Sequence, residues 1–94
     1  MKELSLIRQE LDAIDAQIVS LFEQRMLLSR QVAEYKIEKG LPVLDAQREQ
    51  QVIQSRRGLL KDPHWAQGVE NLFETIMAQS RREQERLKEE AGVP

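Results

Sequence analysis

The chain has 94 residues, 40% of them hydrophobic and 32% charged, with 14 basic and 16 acidic side chains for a net charge of −2. That mix excludes outright disorder, and the near-balance of charge gives no basic field for nucleic acid and no polybasic patch for a membrane surface. Cysteine is absent and histidine occurs once, which excludes disulfides, thiolate zinc sites, thiol catalysis and a histidine metal cluster. No unbroken apolar stretch resembles a signal peptide or a membrane span, so the expected compartment is the cytoplasm.

Glycine and proline divide the chain. Residues 2–39 contain neither, and Gly40 with Pro42, then Gly58 with Pro63, punctuate the remainder. The pattern predicts a single all-α domain over 1–94 with three helices, about 3–39, 45–60 and 63–90, and a frayed tail from Glu90 to Pro94. In the first helix Leu4, Ile7, Leu11, Ile14, Ile18, Leu21, Arg25, Leu28, Val32 and Tyr35 recur at alternating steps of three and four, a heptad-like seam. Thirty-seven helical residues span roughly 50 Å at the α-helical rise, against a diameter near 30 Å for a compact globule of this length. The expectation is an intertwined homodimer that covers the seam, with a monomeric bundle carrying a protruding end as the alternative.

Asp45 is placed to cap the second helix, and Asp62-Pro63 to start the third. The third helix carries an apolar stripe of Val69, Leu72, Phe73, Ile76 and Met77, resumed at Leu87. Trp65 reads as a packing residue and His64 as a surface one.

Polar residues interrupt these stripes. Arg25 occupies a seam position, and Arg8 and Lys36 flank the seam. Asp45, Arg48, Glu49 and Val52 share one face of the second helix, and Ser80 and Gln84 continue the face of Phe73 and Ile76 on the third. Taken singly, each has a plainer reading: Arg25 as a register-setting polar residue, Arg8 and Lys36 as solvated flank charges, Asp45 as a cap. Arg48 and Glu49 then read as first-turn surface residues, and Ser80 and Gln84 as surface groups near a fraying end. Together on inward faces, they form either an internal salt-bridge network or a site for a charged ligand, because a buried charge is costly unless paired.

Arg8 and Arg25 lie 17 residues apart, about 25 Å along one helix, too far to hold one small molecule from the same chain. Antiparallel pairing of two first helices brings Arg8 of one chain beside the Arg25–Lys36 stretch of the other, giving two equivalent sites. Arg8, Arg25, Lys36 and Arg48 suit a small dianion, since arginine binds carboxylates bidentately. With no nucleophilic Cys or His, no evident metal site and no glycine-rich phosphate loop, such a pocket binds, orients and stabilises developing negative charge. That chemistry fits a cofactor-free unimolecular rearrangement of a dicarboxylate.

The chain resembles the all-helical class of chorismate mutase from Leu4 to about Gln84. The matching segments are Ile7-Arg8-Gln9-Glu10-Leu11-Asp12-Ala13-Ile14-Asp15, Arg25, Val32-Ala33-Glu34-Tyr35-Lys36, Pro42-Val43-Leu44-Asp45-Ala46-Gln47-Arg48-Glu49, and Leu72 to Ser80 with Gln84. Met26 stands where a second basic residue is often found. The resemblance implies a three-helix, domain-swapped dimer that converts chorismate to prephenate by a Claisen rearrangement, on the way to phenylalanine and tyrosine. It implies that Arg25 and Arg8 of the second chain hold the two carboxylates. Lys36 and Gln84 are implied to donate to the ether oxygen, and Glu49 to accept from the ring hydroxyl. Arg48, Asp45 and Ser80 are implied to line and order the pocket. Relatives with glutamate in place of Gln84 need that carboxyl protonated, so Gln84 implies activity without low pH. Two alternatives stand beside this reading: an isochorismate pyruvate-lyase on the same fold, and a non-catalytic dimeric helical module.

Overall fold

The computed structural model describes residues 1–94 and contains helices and no strands. Helix α1 runs Leu4–Lys39, α2 runs Ala46–Arg57, a short 3₁₀ turn covers Pro63–Trp65, and α3 runs Ala66–Glu90. The three expected helices are present. The second ends at Arg57, three residues short of the expected bound, with Gly58 as its C-cap. The third opens with the 3₁₀ turn because Pro63 occupies its first position and the Asp62 side chain accepts from His64 N–H at 2.9 Å.

The punctuation works as local chemistry. Gly40 adopts φ 67°, the left-handed conformation that favours glycine, and closes α1. Its N–H reaches the Ile37 carbonyl at 3.3 Å, and Leu41 N–H reaches the Lys36 carbonyl at 2.8 Å. Asp45 caps α2 by accepting from Arg48 N–H at 3.0 Å.

Helix α3 is the element on which both α1 and α2 pack. The core is small: Val52, Ile53 and Met77 cluster with Phe73 against them, and Ala33 and Val43 are buried nearby. Only eight of 94 residues are buried, so most of the apolar surface has no cover within the chain. The molecule measures 57 × 25 × 14 Å with a radius of gyration of 16.8 Å. A compact globule of this length has a radius of gyration near 12 Å.

The elongation comes from α1. Its C-terminal half packs on α3 through Ser29 and Ala33, whereas every residue from Met1 to Gln24 is exposed. Leu4, Leu11, Ile14, Ile18 and Leu21 on the seam are each at least half exposed. Trp65, expected to pack, is also exposed, with its ring edge-on to His64 at 4.9 Å. It sits at the very start of α3, ahead of the stripe that contacts α1 and α2. No helix is long and apolar enough to cross a membrane.

Candidate active site

Where α1, α2 and α3 converge they line an open cavity of about 300 Å³. Helix α1 contributes Arg25, Leu28, Ser29, Val32 and Lys36. Arg25, Ser29, Val32 and Lys36 are spaced by four, three and four, which keeps them on one face over three turns. The linker contributes Val43 and Asp45, α2 contributes Arg48, Glu49 and Val52, and α3 contributes Met77, Ser80, Arg81 and Gln84. Seven of the eight residues singled out from sequence thus meet at one place: Arg25, Lys36, Asp45, Arg48, Glu49, Ser80 and Gln84. Arg8 does not join them; it lies on the exposed half of α1, about 25 Å from Arg25 along the axis.

The wall is strongly cationic, with Arg25, Lys36, Arg48 and Arg81 facing only Asp45 and Glu49 as carboxylates. Burial, and then the like charges of Arg56 and Arg48, weaken the hold of Arg25 on its proton relative to an ordinary arginine. It remains cationic at neutral pH because guanidinium does not deprotonate in proteins. An anion entering the cavity offsets the repulsion from those neighbours by supplying the counter-charge that the site lacks.

Lys36 is half-buried and donates from Nζ to the Val43 carbonyl at 2.6 Å, which pins the linker over the end of α1. Two of its three donors remain for a guest. Glu49 is gripped across the α2–α3 gap by Arg81, whose Nη1 donates to the two carboxylate oxygens at 2.5 and 2.6 Å. The buried polar side chains of the whole chain are Ser29, Ser80 and Gln84, and they form one chain of contacts. Ser29 Oγ lies 2.6 Å from Ser80 Oγ, and Gln84 Nε2 donates to Ser80 Oγ at 3.1 Å. Gln84 Oε1 is buried with no hydrogen-bond partner.

Sequence reasoning missed Ser29 and Arg81. Ser29 was legible, because it falls one turn after Arg25 on the face that ends at Lys36. Arg81 opens the charge run to Glu90 and reads as part of a solvated tail. The Val43 carbonyl is a backbone group and carries no signal in the sequence.

No His, Cys, Asp and Glu group is arranged to hold a metal ion. The arrangement can bind a small polyanion, orient it between basic groups on three helices, and present hydrogen-bond donors to an atom that gains negative charge.

The family described as chorismate mutase type II matches residues 7–85. The chain belongs to the chorismate mutase type II family. The chorismate mutase of Methanocaldococcus jannaschii is 29% identical over 91 residues, covering 96% of this chain and 92% of that protein. The T-protein of Haemophilus influenzae is 37% identical over 57 residues, covering 61% of this chain. The bifunctional chorismate mutase/prephenate dehydratase of Aquifex aeolicus is 32% identical over 62 residues, covering 66% of this chain. The matched stretch is 15% of the T-protein and 17% of the bifunctional enzyme, so the chain corresponds to a small part of each. No solved structure matches the chain significantly.

Proposed function

We propose that this chain is a chorismate mutase, a single domain over 1–94 acting in the cytoplasm in aromatic amino-acid biosynthesis, as an intertwined, domain-swapped homodimer that needs no cofactor. Its reaction is the Claisen rearrangement of chorismate to prephenate. The ether C–O bond breaks as a C–C bond forms within the same molecule; no atom is gained or lost, and no covalent bond to the protein is made. Catalysis then reduces to holding the reactive conformer and stabilising charge on the ether oxygen.

The roles proposed for the residues are those that the family resemblance implies. Arg25 and the partner subunit's Arg8 bind the two carboxylates by bidentate donation. Lys36 and Gln84 donate to the ether oxygen as its C–O bond lengthens. Glu49 accepts from the ring hydroxyl. Arg48, Asp45 and Ser80 order the wall, Asp45 by capping α2 and Ser80 by contact with Gln84.

The dimer rests on the seam. A helix whose first half presents Leu4, Leu11, Ile14, Ile18 and Leu21 to solvent is covered by a second copy across a two-fold axis. The same pairing delivers Arg8, which in its own chain lies about 25 Å from Arg25 along one continuous helix.

The single observation that carries the reading is the convergence of Arg25, Lys36, Glu49 and Gln84 from three helices on one cavity, in a chain of this family. Family and relatives favour the mutase over an isochorismate pyruvate-lyase and over a non-catalytic module. The test is to offer purified protein chorismate and isochorismate in parallel and to identify the products. Prephenate from chorismate is the expected result. Pyruvate from isochorismate alone, or no turnover of either, contradicts it.

A further inference from the structure

Four cations against two carboxylates leave the wall with an excess of positive charge, and Arg81 supplies part of it. Arg81 stands on α3 beside Ser80, with its side chain 36% exposed. It spends its contact on Glu49 of α2, which is 24% exposed. A single nitrogen, Nη1, lies within 2.6 Å of both carboxylate oxygens, which leaves lone pairs to spare on each. Glu49 is the acid that the proposed mechanism places against the guest. Left bare, it adds a full negative charge to a cavity meant for a dianion. With a cation at hydrogen-bond distance that charge is offset, in a site half removed from water where the offset is worth more than at an open surface.

From this geometry we propose that Arg81 is a positioning and specificity-determining residue that acts through Glu49. It fixes the carboxylate as a neutralised acceptor for the guest's hydroxyl and tunes the cavity to a doubly charged, hydroxyl-bearing guest over a singly charged one. The proposal rests on the assignment of the cavity to chorismate. Arg81 touches no reacting atom in this scheme, so its removal acts on guest binding more than on the chemical step.

The test is steady-state kinetics of Arg81→Met, Arg81→Lys and the double variant Arg81→Met/Glu49→Gln on chorismate. Arg81→Met raises KM about tenfold, the effect of one uncompensated charge near a dianion, and changes kcat by less than about threefold. Arg81→Lys keeps the cation and stays within about threefold of wild type in KM. In the double variant the charge balance of the cavity is restored, and KM falls back towards wild type while kcat drops below that of Arg81→Met for want of the Glu49 carboxylate. A purely structural role for the ion pair predicts no such recovery, since both variants break the pair. A dicarboxylate inhibitor loses more affinity to Arg81→Met than a monocarboxylate of the same ring, by about the same tenfold factor. Unchanged KM in Arg81→Met, or a raised KM that Glu49→Gln fails to lower, overturns the proposal. Wild-type protein that leaves chorismate untouched refutes instead the reading of the site on which it rests.

Discussion

Ser29 on α1 and Ser80 on α3 meet hydroxyl to hydroxyl at 2.6 Å, both of them buried, beside the cavity that α2 completes. The contact ties the two long helices at the depth where Gln84 enters the cavity wall. Loss of a buried partner costs about 1–3 kcal/mol when the other group is left unsatisfied. Ser29→Ala is expected to lower the unfolding free energy by an amount in that range, measured by denaturant titration. It is also expected to reduce kcat severalfold, because Ser80 is the group that orients Gln84. A variant with unaltered stability and unaltered kcat shows that the hydroxyl pair is incidental.

The amide of Gln84 has one end on Ser80 and the other without a partner. A half-turn about its terminal torsion exchanges nitrogen and oxygen. In that orientation Ser29 donates to Ser80, Ser80 donates to Oε1, and both N–H groups of Gln84 are left over as donors. Under the proposed mechanism that donor capacity is used when the ether oxygen gains charge, which is where binding energy accelerates a reaction. Gln84→Ala is expected to lower kcat/KM by two orders of magnitude or more.

Gln84→Glu tests the same point through pH. A carboxyl donates only when protonated; burial raises its pKa and the cationic side chains of the wall lower it. Activity of Gln84→Glu therefore rises as pH falls through the pKa of that carboxyl and is lost as pH climbs above it. The amide of the wild type does not titrate, so the wild-type profile lacks this acid-side gain. A pH–rate profile of the variant parallel to the wild type removes Gln84 from the chemical step.

Lys36 has two tasks, and they separate experimentally. Its bond to the Val43 carbonyl holds the linker, and its remaining donors face the cavity. Lys36→Ala is expected to lose about 10²–10³ in kcat/KM. It also loses about 1–2 kcal/mol of stability from the severed charged hydrogen bond at this half-buried position. Lys36→Arg recovers stability better than rate, since a planar fork does not reproduce the position of an ammonium. A Lys36→Ala protein that unfolds more easily yet turns over at the wild-type rate confines Lys36 to the linker.

Much of this was legible because helices advertise their faces. The alternation from Leu4 to Tyr35 marked out the body of α1 and Gly40 its C-terminal end, and the first half of that seam is exposed in the structure. Asp45 and Asp62 marked the starts of their segments because capping is local chemistry. Polar residues at apolar positions pointed to the cavity, since a misplaced arginine is costly unless something meets it. Four things escaped, the first being Ser29, one turn after Arg25 on the face that ends at Lys36. Trp65 looked like core by residue type, yet lies outside the packed stripe of α3. Arg81 was hidden at the head of a charge run whose other members are surface groups, such as Arg86 between Glu83 and Glu90. The Lys36–Val43 bond depends on how the linker folds back after Gly40, which no side-chain pattern encodes.

Cross-chain assembly of the site is tested most directly by mixing two dead proteins. Arg8→Ala and Arg25→Ala are each expected to have almost no activity, because each removes one carboxylate-binding arginine from both sites of its dimer. Unfolded together and refolded at equal concentration, they pair at random, so about half the dimers are mixed and each of these has one intact site of two. A shared site predicts about a quarter of wild-type activity in the mixture. Activity no greater than that of the separate variants, with mixed dimers demonstrated to be present, contradicts it.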